Sequence, residues 1–91
     1  MRRAARVDEN QRDVVAALRK IGAFVSYLPV GFGVPDLLVG YKGQTFLMEV
    51  KNKDGRNRMT QGQIEFHNRW IGGALFIVRT PEAAIKAVTQ P

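Results

Sequence analysis

The sequence predicts a small α/β domain, a mixed β-sheet flanked by helices in the order αβββαβα. Three observations carry that prediction. Apolar residues recur at helical spacing near the N-terminus, short β-rich runs are punctuated by glycine and proline, and one strand–helix–strand step calls for a parallel crossover. At 91 residues there is room for one domain.

Residues 1–7 read as a basic arm ahead of a single domain over 8–91. Asp8 suits an N-cap and Glu9 a first helical turn. Val14, Val15, Leu18 and Ile21 then follow helical spacing, and Gly22 ends the helix. Ala23 to Leu28 reads as a short strand, and Pro29 to Gly33 as a glycine-rich loop. Asp36 to Tyr41 and Gln44 to Lys51 form a hairpin about the Lys42-Gly43 turn. Asn52 to Arg58 is a polar, basic loop. Thr60 caps a helix that runs to about Ile71, where Gly72-Gly73 stops it. Ala74 to Arg79 is an apolar strand, and Thr80-Pro81 opens a last helix with proline at its first position.

Composition narrows the function classes. The chain is 45% hydrophobic and 24% charged, ordinary for a globular protein. It lacks a run of about 18 apolar residues, the length a membrane helix needs. The basic start, Met1-Arg2-Arg3-Ala4-Ala5-Arg6, is followed by no apolar segment and so does not read as a secretory signal. With no cysteine there is no disulfide framework, thiol nucleophile or thiolate zinc site, which fits a cytoplasmic protein. A net charge of +6 and a pI near 10.3 point to a polyanionic partner, nucleic acid being the commonest.

The chemistry rests on Pro35-Asp36 and, thirteen residues on, Glu49-Val50-Lys51. A two-residue turn at Lys42-Gly43 sets Leu38 opposite Leu47, Leu37 opposite Met48, and Asp36 opposite Glu49. Facing side chains in an antiparallel pair have Cβ atoms about 4.5–5.5 Å apart, and like charges there repel. A hard divalent cation, Mg²⁺ or Mn²⁺, offsets that repulsion, and the backbone carbonyl of Val50 offers a further oxygen. Strand alternation sends Phe46, Met48 and Val50 to a core face, and Leu47, Glu49 and Lys51 to the other. The Lys51 ammonium then stands beside the carboxylates. There it can lower the pKa of a water or stabilise charge on phosphorus. The bland alternative is an ordinary ion pair at a surface edge.

Gly33-Val34-Pro35-Asp36-Leu37 followed by Glu49-Val50-Lys51 resembles the PD-(D/E)XK nuclease superfamily, and more narrowly its VRR-NUC family. Downstream, Gly55, Met59-Thr60, Gln63 and Phe66-His67 fit that family's pattern, so the resemblance spans roughly residues 9–88. It implies a restriction-endonuclease-like core, with Asp36 and Glu49 as metal ligands and Lys51 as the catalytic lysine. Gln63 would be the helix glutamine reaching the site, and Glu9 the acid of the first helix. It also implies metal-dependent cutting of branched DNA, as by Holliday-junction resolvases acting as homodimers in replication, recombination or repair. The family occurs in phages, bacteria and eukaryotic repair proteins.

Some residues keep two readings. Thr60-x-x-Gln63 is also a capping box, in which the glutamine satisfies the Thr60 N–H. Both roles are compatible if the Gln63 side chain moves. Glu9 in a first turn also serves the helix dipole. Lys42, Lys53, Arg56 and Arg58, with the arm, are the phosphate-contact candidates, against a merely solvated basic surface. His67 reads as a surface or packing residue. Trp70, Ile71 and the terminal helix offer apolar faces for a dimer. The apolar 28–32 loop carries no basic side chain, so contact there falls to glycine backbone or to Phe32 against bases. A binding module that does not cut, and an RNase, are the alternatives to a DNA nuclease.

Overall fold

The computed structural model describes residues 9–53 and 58–90; the basic arm, Asp8, Gly55 and Arg56 lie outside the described residues. Helix α1 spans Glu9–Lys20, and strands β1, β2 and β3 span Phe24–Tyr27, Leu37–Tyr41 and Gln44–Val50. Helix α2 (Gln61–Arg69), strand β4 (Ala74–Val78) and helix α3 (Pro81–Thr89) complete the order αβββαβα.

Local chemistry sets the boundaries. Gly22 turns left-handed at φ +96, with hydrogen bonds from Gly22 N–H to Arg19 O and from Ala23 N–H to Leu18 O. That is a Schellman C-cap, which glycine adopts without a Cβ penalty. Lys42 (φ 49) and Gly43 (φ 82) form the left-handed pair of a two-residue hairpin turn. The predicted register follows, with Leu37 opposite Met48 and Tyr41 opposite Gln44. Thr60 and Thr80 accept the N–H groups of Gln63 and Ala83 at 3.2 and 3.0 Å, capping α2 and α3.

Several expected boundaries move inward: β1 loses Ala23 and Leu28, and β4 ends at Val78 rather than Arg79. β2 starts at Leu37 and β3 ends at Val50, so Asp36 and Lys51 stand just beyond the strands. α2 ends at Arg69, not Ile71, because Trp70 adopts an extended conformation (φ −68, ψ 123). Its indole donates to Gly73 O at 2.7 Å, and its ring occupies the space a Gly72 side chain would need.

The strands form one sheet in the order β1-β2-β3-β4, antiparallel except for the parallel β3–β4 pair that α2 connects. The core lies on one face. Val25, Leu37, Val39, Phe46, Met48, Val50 and Val78 pack there with Val14, Val15 and Leu18 of α1 and Ala84 and Val88 of α3. Each fully buried large aliphatic or aromatic side chain contributes about 1.5–3 kcal/mol. The terminal helix therefore spends its apolar side within the molecule. The opposite face carries Leu38, Leu47 and Leu75, all half-buried, and Ile77, which is 46% exposed. α2 lies towards the end of this face where Glu49 and Lys51 sit, and contributes no fully buried residue.

Candidate active site

Asp36 sits one residue before the β2 ladder begins. Its carbonyl accepts the Leu28 N–H at 2.9 Å, tying the end of β1 to the start of β2. Its side-chain Oδ2 accepts the Val50 N–H at 2.8 Å, so a carboxylate stands where the next strand carbonyl would be. That bond also places the Val50 main chain against Asp36.

Glu49 is 2% exposed and Lys51 5%, which removes the reading of a surface-edge ion pair. Lys51 Nζ lies 3.7 Å from Glu49 Oε2, 2.7 Å from Gln63 Oε1 and 3.3 Å from Arg58 O. The main chain of Lys51 is fixed as well, its N–H donating to Val78 O at 2.9 Å.

Gln63 holds the group together. Its Oε1 accepts from Lys51 and also from the Thr60 N–H at 2.9 Å, while its Nε2 donates to Glu49 Oε2 at 3.0 Å. Capping and site contact coexist in one rotamer, so no movement of the side chain is required, contrary to the sequence expectation. Gly33 (φ +74) positions the turn: a Cβ there would meet Gly62 O at 2.1 Å, so the loop backbone rests directly on α2 beside Gln63.

Two features bear on a cation. The Glu49 carboxyl is pushed up to about 8, first by burial, then by the adjacent Asp36 carboxylate; Lys51 pulls the other way. Its Oε1 is buried with no hydrogen-bond partner. A buried carboxyl oxygen without a partner is costly, and a cation between Asp36 and Glu49 relieves both penalties. The residues therefore fit a hard divalent ion held through oxygen. No group of three or more His, Cys, Asp or Glu side chains converges among the described residues, so the ligand set is sparse. Magnesium, which keeps several waters, suits such a set.

A cavity of about 290 Å³ opens beside Asp36 and Gln63, walled by the 28–36 loop and Thr60. Glu49 and Lys51 do not line it.

The other expected residues fall in different places. Glu9 opens α1 and is exposed. Its neighbour Asn10 was missed by sequence reasoning: its amide donates to the carbonyls of Lys51 (2.7 Å) and Arg79 (3.0 Å), joining α1 to the ends of β3 and β4. The available signal was a polar residue on the apolar stripe of Val14 and Leu18. Lys53 and Arg58 are exposed on either side of the undescribed 54–57 stretch, which contains Arg56. Lys42 sits in the hairpin turn over the Tyr41 ring, 5.4 Å from its centroid. At six residues from Asp36 it is roughly 20 Å away along the strand, at the opposite end of the sheet. His67 packs edge-on to Phe66, and burial followed by the Lys51 charge lowers its pKa.

The sequence matches no protein-family model and no curated protein. The structure is similar to a solved VRR_NUC domain with a TM-score of 0.70 and 26% sequence identity, over 88% of this chain and 90% of that one.

Proposed function

The chain belongs to the VRR-NUC family, and on that premise we propose that it is a Mg²⁺- or Mn²⁺-dependent endonuclease that hydrolyses phosphodiesters of branched or structured DNA. The observation that carries this is the buried Glu49–Lys51 pair, bridged by Gln63, with the half-buried Asp36 carboxylate fixed beside it by the Val50 N–H at the edge of an open cavity.

Asp36 and Glu49 are the residues that would hold the cation, with Val50 O the main-chain candidate. When bound, the ion supplies Lewis acidity at the phosphodiester and a hydroxide nucleophile near neutral pH. The chain's own residues do the rest. The Val50 N–H fixes one oxygen of Asp36. Glu49, whose carboxyl is raised in the free protein, would have to give up its proton to hold the ion. Lys51 brings a fixed positive charge to the negative charge that develops at phosphorus, and such preorganised charge favours the transition state. Gln63 keeps Lys51 and Glu49 in register.

The net charge of +6 supports a nucleic-acid substrate. A homodimer accords with the half-open second sheet face and with Ile71, which is 98% exposed. A two-fold pair would present two sites for symmetric cuts across a junction, in the manner of a Holliday-junction resolvase. Such an enzyme would act in the cytoplasm of a bacterium or of a phage's host.

The test is a cleavage panel in Mg²⁺ and Mn²⁺, with wild type and Lys51→Ala, on a four-way junction, a flap, duplex, single-stranded DNA and RNA. Metal-dependent cutting of branched DNA that disappears in the variant is expected. Junction binding with no cutting of any substrate would replace this reading with a binding module, and preference for RNA would make the enzyme a ribonuclease.

A further inference from the structure

Phe32 is 99% exposed and sits in a left-handed backbone conformation (φ 58) between Gly31 and Gly33. An aromatic residue seldom adopts that conformation, and a solvated phenyl ring gains nothing from burial. The loop nevertheless presents it in a fixed position, because Gly33 rests on the Gly62 backbone.

Phe32 borders two cavities. One is the cavity of Asp36 and Gln63. The other, of about 450 Å³, is lined by Phe32, Gly62, Glu65, Phe66, Arg69 and Trp70. Phe66 and Trp70 stack there at 14° with centroids 5.5 Å apart. The indole is locked by its bond to Gly73 O and by its seat over Gly72. Glu65 accepts a hydrogen bond from Gln61 at 3.2 Å, and Arg69 adds a cationic group to the wall. Rigid aromatic surfaces with an arginine, sharing Phe32 with the cavity at Asp36, match the stacking platforms that receive single-stranded nucleic acid.

We propose that the Phe32–Phe66–Trp70 cleft receives an unpaired nucleobase next to the phosphate at the carboxylate site, so that the protein selects strands whose bases are already unstacked. Paired bases in duplex are unavailable to the cleft, whereas bases at a branch point or in a single strand enter without the cost of opening a helix. The inference rests on the nuclease reading only for where the scissile phosphate lies.

Trp70 is the only tryptophan, so its fluorescence reports on the cleft directly. Wild type, Phe32→Ala and Phe32→Tyr are titrated in EDTA with a twelve-residue oligothymidylate, the matching oligouridylate and a blunt duplex. Single strands should quench Trp70 in the wild type and duplex should not. Phe32→Ala should weaken single-strand binding about tenfold or more, the effect of losing one stacked base. Phe32→Tyr should keep the affinity, and duplex binding should be the same in all three. The two oligonucleotides tell DNA from RNA as the source of the base. Equal single-strand affinity of wild type and Phe32→Ala, absence of quenching, or an equal loss on duplex would overturn the inference. Because no metal is present, a protein that never cuts can still pass. A protein that cuts but ignores Phe32 fails here and remains a nuclease.

Discussion

Gln63 Oε1 lies 2.7 Å from Lys51 Nζ, and the same oxygen accepts the Thr60 N–H that begins α2. A helix cap and the placement of a buried cation thus depend on one atom. Thr60→Ala removes only the hydroxyl half of the capping box. It should cost about 1 kcal/mol in urea unfolding and leave cleavage within a few-fold of wild type. Gln63→Ala also removes one partner each from Lys51 and Glu49. It should lower stability by about 2 kcal/mol and cleavage by at least about tenfold. Equal activity of the two variants would reduce Gln63 to a capping residue.

The Glu49 carboxyl rises from 4.5 to about 8 on folding, with burial the main cause. A carboxyl raised in the folded state holds its proton there longer than in the unfolded chain. Its contribution to stability is therefore full below pH 4.5 and is lost as pH rises through about 8. In metal-free buffer, Glu49→Gln should behave like wild type near pH 4.5. It should then become the more stable protein as pH rises to about 8, by on the order of a few kcal/mol. Denaturation at a series of pH values in EDTA measures this. A gap independent of pH would mean that Glu49 is already ionised.

At the proposed metal site the same proton would have to leave for a cation to bind between Asp36 and Glu49. Mg²⁺ affinity, followed by calorimetry in buffers of differing ionisation enthalpy, should climb with pH up to about 8 with proton release. Asp36→Asn should abolish both the binding and the stabilisation that Mg²⁺ gives the wild type. Unchanged binding in Asp36→Asn would place the ion elsewhere.

Gly33→Ala forces a Cβ to within 2.1 Å of Gly62 O at a φ of +74. It should cost roughly 2 kcal/mol or more and reduce cleavage, because the displaced segment carries Gln63. Gly43 also has a positive φ, +82, but a Cβ there meets nothing within 4 Å. Gly43→Ala should cost about 1 kcal/mol and leave cleavage unchanged, as it lies at the far end of the hairpin. Equal effects on cleavage would show that the loop contact does not position the site.

Asn10→Ala strands the carbonyls of Lys51 and Arg79, and unfolding should become easier by about 2 kcal/mol. Glu9→Gln alters an exposed residue, so its stability should stay within about 0.5 kcal/mol of wild type. Loss of cleavage in that variant assigns Glu9 to the site, and full cleavage assigns it to the helix dipole alone.

Local rules were enough to read much of this protein from its sequence. Lys42-Gly43 set the hairpin turn, the turn set the register, and the register brought Asp36 to Glu49 with Lys51 beside them. These residues are close in sequence and joined by one turn, so strand periodicity alone could bring them together. Caps at Gly22, Thr60 and Thr80 are equally local. Burial was decided elsewhere. Glu49 and Lys51 lie on the face that alternation assigns away from the core, yet α2 and the 58–63 segment enclose them, and that enclosure is what raises the Glu49 carboxyl. The Asn10 bridges and the Gly33–Gly62 contact likewise depend on how separate segments pack. Periodicity specifies which side of an element is apolar; it does not specify which distant segment will cover the other side, because that depends on the shape the packed elements make together.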